Sequence, residues 1–128
     1  MTVIHYNYHP ALQPPAPFIN VVLRHPRSGS EMRNVPAQVD SGADRTVLPE
    51  KVAHALGLPQ VGRIEINALG GAFHFLPSYC VLLGVHDFPL RQIEVIAHAH
   101  EEWILLGRDV LNAHRIVLDG PRLALEIS

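Results

Sequence analysis

The sequence predicts a mainly β domain, on three observations. Eleven prolines and nine glycines cut its 128 residues into short runs. At least eight of those runs are β-rich, alternating or continuously apolar, as strands are. Helix signals occur in only two places, and both are brief. Strands of this number and length close as a barrel or stack as a sandwich. The length suits one domain. With 48% apolar and 17% charged residues there is enough to bury, and with 6% aromatics the core must be largely aliphatic.

The elements follow in order. Residues 1–17, ending Pro14-Pro15-Ala16-Pro17, read as an extended N-terminal arm, and 18–128 as the domain. Phe18–Arg24 is a strand and His25–Asn34 a polar loop or wide hairpin. Val35–Val39 is a strand that Pro36 assigns to an edge or a strand start. Arg45–Leu48 is a further strand, after which Pro49 opens a helix of about two turns that Gly57 stops. Arg63–Ala68 alternates, with Ile64, Ile66 and Ala68 on one face. Gly70-Gly71 turns the chain, and Phe73 and Phe75 resume the alternation around an outward His74, making a hairpin. Tyr79–Leu83, Phe88–Leu90 and Ile93–Ala97 read as strands, and Trp103–Leu106 as a strand buried on both faces. Asp109–His114 has the makings of a short helix, and Ile116–Leu118 and Leu123–Ile127 form a terminal hairpin about Asp119-Gly120-Pro121.

Several function classes drop out. A net charge of −2 provides no electrostatic footprint for nucleic acid or an anionic membrane. No apolar run approaches the ~20 residues of a membrane span, and Met1–Pro10 lacks the features of a signal peptide, so a cytoplasmic chain is expected. A lone cysteine, Cys80, excludes an internal disulfide and a cysteine metal cluster; in its apolar strand it packs as a small hydrophobe. There is no nucleophile-elbow serine, P-loop or dinucleotide fingerprint. His98, His100, Glu101 and Glu102 read as a solvated loop, and Tyr6, Tyr8 and Pro10 argue against a helix that would align His5 with His9. Neither a metal nor any other cofactor is expected.

The sharpest local signal is Val39-Asp40-Ser41-Gly42-Ala43-Asp44, a carboxylate at the end of an apolar strand. A carboxylate used as a base must be held in place and partly desolvated, and flanking strands do both. Gly42 permits a turn that brings an N–H toward that carboxylate. By itself Asp-Ser-Gly is also common turn chemistry. The second signal is Ile104-Leu105-Leu106-Gly107-Arg108-Asp109, apolar residues and a glycine before a charged helix start.

In their order, with a helix after Leu48 and a Gly-Gly hairpin between them, these two motifs resemble the retropepsin-like aspartic proteases. That single-domain family includes retroviral proteases and related bacterial and eukaryotic chains. The resemblance covers roughly residues 18–127. It implies a small closed β-barrel with one or two short helices, active as a two-fold homodimer. Asp40 then matches the catalytic aspartate, with Ser41 and Gly42 completing its triplet. Leu69, Gly70, Gly71 and Ala72 match the tip of a flap over a peptide substrate bound as an extended strand. Ala43, Asp44, Val47, Phe73 and Leu105 join Leu69 and Ala72 as substrate-binding candidates, and the apolar ones suggest large apolar residues beside the cut. Gly107 and Arg108 match the segment under the active-site loop, where the Arg pairs with the acid two after the signature glycine, here Asp44. The chain departs from the viral pattern at residues 115–128, where it adds a whole hairpin.

This chemistry needs two carboxylates that share one water and one proton. The chain holds one Asp-Ser-Gly, and Leu118-Asp119-Gly120 reads as a hairpin turn. The second aspartate is therefore expected to be Asp40 of another copy. A rival reading keeps the fold and the dimer but makes the chain a weak or silent peptide-binding module.

Overall fold

The structure, a computed structural model, describes residues 2–67 and 73–128. Its strands are β1 (Ile4–Asn7), β2 (Phe18–Arg24), β3 (Glu31–Val39), β4 (Val47–Pro49), β5 (Gln60–Asn67), β6 (Phe73–Val85), β7 (Arg91–His98), β8 (Ile104–Leu106), β9 (Ile116–Asp119) and β10 (Ala124–Ile127). Two short helices, α1 (Glu50–Ala55) and α2 (Arg108–Leu111), interrupt them. Seven strands form one sheet in the order β2-β3-β8-β4-β7-β6-β5, and β2 also pairs with β6. That extra pairing closes six strands into a barrel and leaves β5 outside as the first arm of a hairpin. A second sheet, β1-β10-β9, joins the two ends of the chain.

The barrel is filled by aliphatic side chains, as the scarcity of aromatics requires. Ile19, Val21, Leu23, Leu48, Val81, Val85, Val95, Ile104 and Leu106 are fully or almost fully buried. Each contributes about 1.5–3 kcal/mol by leaving water. Leu125 and Ile127 of the terminal sheet belong to the same core, with Ile4, Tyr6 and Ile116 packed against it. The arm's first strand, β1, is thus ordered by pairing with β10. Among the described residues, no helix is long and apolar enough to cross a membrane.

Two prolines lie inside long strands, and their positions show why the chain tolerates them. Pro36 sits in β3 opposite Asn20 of β2, while pairing to β8 on the other side begins one residue later, at Ala37. Pro77 sits in β6 opposite Arg63 of β5, and pairing to β7 begins one residue later, at Ser78. Each proline marks the last position before a strand gains its second neighbour, so its missing N–H removes no bond on that side. Pro77 therefore does not split β6, and the stretches around Phe75 and Tyr79 are one strand of 13 residues.

Other local expectations meet the structure with small differences. Pro49 precedes α1, and Gly57 ends it at φ +60°, its N–H bonded to the His54 carbonyl at 3.0 Å. Phe88–Leu90 is a turn rather than a strand: the Phe88 N–H bonds back to Val85, and Leu90 folds over Gly84, where a Cβ would lie 2.8 Å from its Cδ2. The hairpin register pairs His74 with Ile66 and Phe75 with Glu65. Directly opposed residues share a face, so His74 lies on the side of the half-buried isoleucines yet is itself exposed, while Phe75 is 58% exposed with the Arg63 guanidinium 5.9 Å above its ring. The exposure expected of His74 is therefore observed, although it shares a face with Ile66. Alternation orders each arm, but the register between arms depends on the turn.

His114 packs on the Phe88 ring at 5.1 Å beside the chain terminus. Burial holds its pKa below the ordinary histidine value, with a Ser128 backbone contact opposing this and Arg91 adding to it. The unfolded chain therefore takes up a proton at a pH where the folded chain does not. Stability should be lost as pH falls through about 6.5, the unfolded value. Melting temperatures between neutral and mildly acid pH are expected to fall less in His114→Gln than in the wild type; equal slopes would contradict this.

Candidate active site

Asp40 follows β3 directly. β3 runs parallel to β8, with Ala37, Gln38 and Val39 opposite Ile104, Leu105 and Leu106. The Asp40 N–H extends this ladder to the Leu106 carbonyl at 3.0 Å, and the Val39 N–H reaches the Pro17 carbonyl at 2.9 Å. The backbone carrying the carboxylate is thus fixed from both sides. Beyond it the chain turns at once. The Gly42 N–H donates to Asp40 Oδ1 at 3.1 Å, and the Ala43 N–H to the Asp40 carbonyl at 3.1 Å. A Cβ at Gly42 would stand 3.3 Å from Oδ1, so glycine provides room for the carboxylate here. Asp40 is half-buried, and Ser41 and Gly42 are exposed.

The loop is closed from below by a network that sequence reasoning missed. Thr46 is fully buried, and its N–H and hydroxyl donate to Asp109 Oδ2 and Oδ1 at 3.0 and 2.7 Å. The same hydroxyl accepts the Gly107 N–H at 3.1 Å. Gly107 presses against the backbone of Arg45: a Cβ there would fall 2.6 Å from the Arg45 carbonyl carbon and 2.8 Å from its N and O. The Arg108 N–H then bonds to the Ala43 carbonyl at 2.8 Å. Residues 40–46 are therefore folded around the turn that leads from β8 into α2. The one local hint was Asp109 in the first turn of a helix, where an acid favours the positive end of the dipole.

Arg108 does not pair with Asp44. Its Nη1 donates to the Ser41 carbonyl at 2.9 Å, and both Arg108 and Asp44 are exposed. Among the described residues neither has an ion pair. The carboxylate that ties the two segments together belongs to Asp109, the next residue along. Support for the loop comes from a buried hydroxyl and its carboxylate, while Arg108 adds one charge-assisted bond at the surface.

Val47 and Leu105 are opposite each other across β4 and β8 and are both half-buried, as is Ala43. Leu69, Gly70, Gly71, Ala72 and the side chain of Phe73 lie outside the described residues. Asp119 accepts the Arg122 N–H at 3.3 Å and shapes the terminal turn. The His98 and His100 rings are 5.6 Å apart, and His98 Nδ1 accepts the His100 N–H. Among the described residues, no three histidine, cysteine or acidic side chains are grouped to hold a metal ion. The wider surface concavities, about 270 Å³ each, are lined around His5 and Val117 and around Tyr6 and Asn20, and neither includes Asp40.

Similarity to known proteins agrees with this geometry. The family described as "gag-polyprotein putative aspartyl protease" matches residues 31–113. A retropepsin-like aspartic protease from Rickettsia conorii superposes with a TM-score of 0.66 at 16% identity, covering 98% of this chain and 91% of that one. The EIAV protease, solved with the inhibitor HBY-793, superposes at 0.59 and 19% identity, over 77% and 86% of the two chains. The retroviral protease-like domain of Ddi1 from Leishmania major does so at 0.52 and 19%, over 84% and 86%. Among curated proteins, none matches the chain.

The network makes contrasting predictions for neighbouring residues. Thr46→Val leaves the Gly107 N–H without its acceptor and Asp109 with one donor fewer, and should cost about 1–3 kcal/mol in chemical denaturation. Gly107→Ala forces backbone apart and should cost more. Arg108→Ala loses one exposed bond and should cost no more than about 1 kcal/mol. An Arg108→Ala loss larger than that of Thr46→Val would contradict the assignment of the support to Thr46 and Asp109.

Proposed function

The chain belongs to the retropepsin-like, gag-polyprotein type of aspartyl protease family, and we propose that it is an aspartic endopeptidase that works as a homodimer. The observation carrying this reading is the state of Asp40. Its backbone is bonded on both sides and one carboxylate oxygen is held by the Gly42 N–H, yet the residue stands half-exposed at the head of its loop. In this reading the carboxylate is half of an acid–base pair. A second copy, related by a two-fold axis, would supply the other half.

In the proposed reaction the two Asp40 carboxyl groups hold one proton and one water between them. Carboxylates ~3 Å apart cannot both ionise, so one acts as base on the water while the other gives its proton to the peptide carbonyl oxygen. The tetrahedral intermediate collapses when a carboxyl group delivers a proton to the leaving nitrogen. No covalent enzyme intermediate is needed. Ser41, which is exposed, would hydrogen-bond the facing loop, and Asp44 and Ala43 would border the peptide. Val47 and Leu105 offer an apolar wall, to which Leu69, Ala72 and Phe73 would add. The hairpin of β5 and β6 would close over the peptide through backbone groups of Gly70 and Gly71, with the peptide lying as an extended strand.

Asp40→Asn changes both halves of a symmetric pair and removes the shared proton. Cleavage of a casein or peptide-library substrate should fall by at least about a thousandfold, with fold and dimer intact by circular dichroism and sedimentation. Unchanged turnover would defeat the assignment, and a wild-type dimer that cuts nothing would favour the binding-module reading. Activity should also decline toward alkaline pH as the shared proton is lost, equally at enzyme concentrations about a hundredfold apart. A rate still rising at about pH 9 would point to a different base.

A further inference from the structure

We propose that His9 is a positioning residue for the candidate site: its ring clamps together the two chain segments whose carbonyl groups hold Val39 and Asp40. This rests on the protease reading above and gives the N-terminal arm a part in it.

Asp40 stands where two ladders run out. The bond from the Val39 N–H to the Pro17 carbonyl, 2.9 Å, lies just beyond the last register pair of β2 and β3. The bond from the Asp40 N–H to the Leu106 carbonyl, 3.0 Å, lies just beyond that of β3 and β8. Ladder ends open locally at far lower cost than the whole fold. An aspartate that is to share one proton with a second carboxylate needs its backbone held to within about 0.5 Å. The two acceptor segments must therefore be held to each other as well as to β3.

Three rings do this. The His9 centroid lies 5.2 Å from that of Phe18 and 5.3 Å from that of Trp103, and Phe18 and Trp103 are 5.3 Å apart, all edge to face. Aromatic contacts of this geometry attract beyond the area they bury. Phe18 directly follows Pro17, and Trp103 directly precedes β8, which ends at Leu106. The cluster thus joins the segment of one acceptor to the segment of the other. Phe18 is opposite Gln38, and Gln38 is opposite Leu105, so Phe18 shares a face of the sheet with a candidate wall of the peptide groove.

His9 is the member that the arm supplies, and the arm has little backbone with which to dock. Pro10, Pro14, Pro15 and Pro17 have no N–H to donate. Among the described residues, the backbone bonds of residues 9–16 stay within the arm: the His9 N–H reaches the Ala16 carbonyl at 2.7 Å, and the Ala16 N–H the His9 carbonyl at 3.4 Å. His9 Nδ1 accepts the Ala11 N–H at 3.3 Å, which fixes the ring relative to this closed loop. The loop meets Phe18 and Trp103 through that ring.

His9→Ala removes the ring and His9→Phe keeps one, so the two variants separate packing from imidazole chemistry. At concentrations where the dimer is intact, His9→Ala should lower kcat about ten- to a hundredfold on a peptide that the wild type cuts, with KM within about threefold. His9→Phe should return kcat to within about threefold of the wild type. Amide exchange reads the clamp without any substrate. The Val39 and Asp40 amides should exchange at least about tenfold faster in His9→Ala, and at the wild-type rate in His9→Phe. Val81→Ala controls for general destabilisation: Val81 is fully buried in β6, and opening at the ladder ends does not uncover it, so those two amides should keep their wild-type rate. Equal acceleration in His9→Ala and Val81→Ala would overturn the clamp, because a residue that only stabilises the fold acts in that way. A His9→Phe no better than His9→Ala would overturn it too, as would amides indifferent to His9→Ala. A wild type that cleaves nothing would overturn the protease reading, and the exchange comparison would then decide the clamp by itself.

Discussion

The fold turns on one buried hydroxyl. Thr46 has no exposed surface, and its side chain is at once donor to Asp109 and acceptor from Gly107. Its N–H takes the other Asp109 oxygen, and its carbonyl receives the Ile96 N–H of β7 at 3.1 Å. One residue thus joins the loop after the candidate catalytic aspartate, the turn into α2 and a third strand of the barrel. A carboxylate that is neither free in water nor neutralised by a cation is stabilised by hydrogen bonds to it, and those of Asp109 come from Thr46. The close approach of Gly107 to the Arg45 backbone follows from the same arrangement, since the Gly107 N–H can reach the hydroxyl only if the two backbones nearly touch.

From that lock the position of Asp40 follows. β8 lies between β3 and β4, parallel to one and antiparallel to the other, so the chain leaving β3 must arch over the end of β8 to enter β4. Asp40 stands at the start of the arch, its N–H bonded to the last residue of β8. The arch holds two carboxylates, Asp40 half-buried at its start and Asp44 exposed further along. The barrel behind it, closed by the β2–β6 pairing, supplies a rigid base for the candidate site. The terminal sheet, reached from the same arch through α2, has one edge closed by the chain itself and one edge open.

What the sequence made legible was local. Asp40-Ser41-Gly42 after an apolar strand, the helix between Pro49 and Gly57, and the hairpin about Asp119-Gly120 each carry their own signals within a few residues. The resemblance added the closed barrel, which composition and alternation left open against a sandwich. The Thr46–Asp109 contact spans 63 positions and leaves no local trace. Pro77 reads as a strand breaker unless it is known that β7 joins β6 only from Ser78. Pairing of Arg108 with Asp44 was carried over by position, but here the guanidinium reaches a carbonyl and the adjacent Asp109 carries the tie. His74 is exposed as expected, but it shares a face with Ile66, because the register between two arms is not written in either arm alone.

The central claim is that each chain carries half of an active site. Mixing wild-type chains with Asp40→Asn chains at fixed total concentration, and allowing exchange, tests it directly. If the site needs Asp40 from both copies, cleavage falls as the square of the wild-type fraction, to about a quarter in an equal mixture that assorts at random. A rate proportional to that fraction, about half in the equal mixture, would mean that each chain works alone.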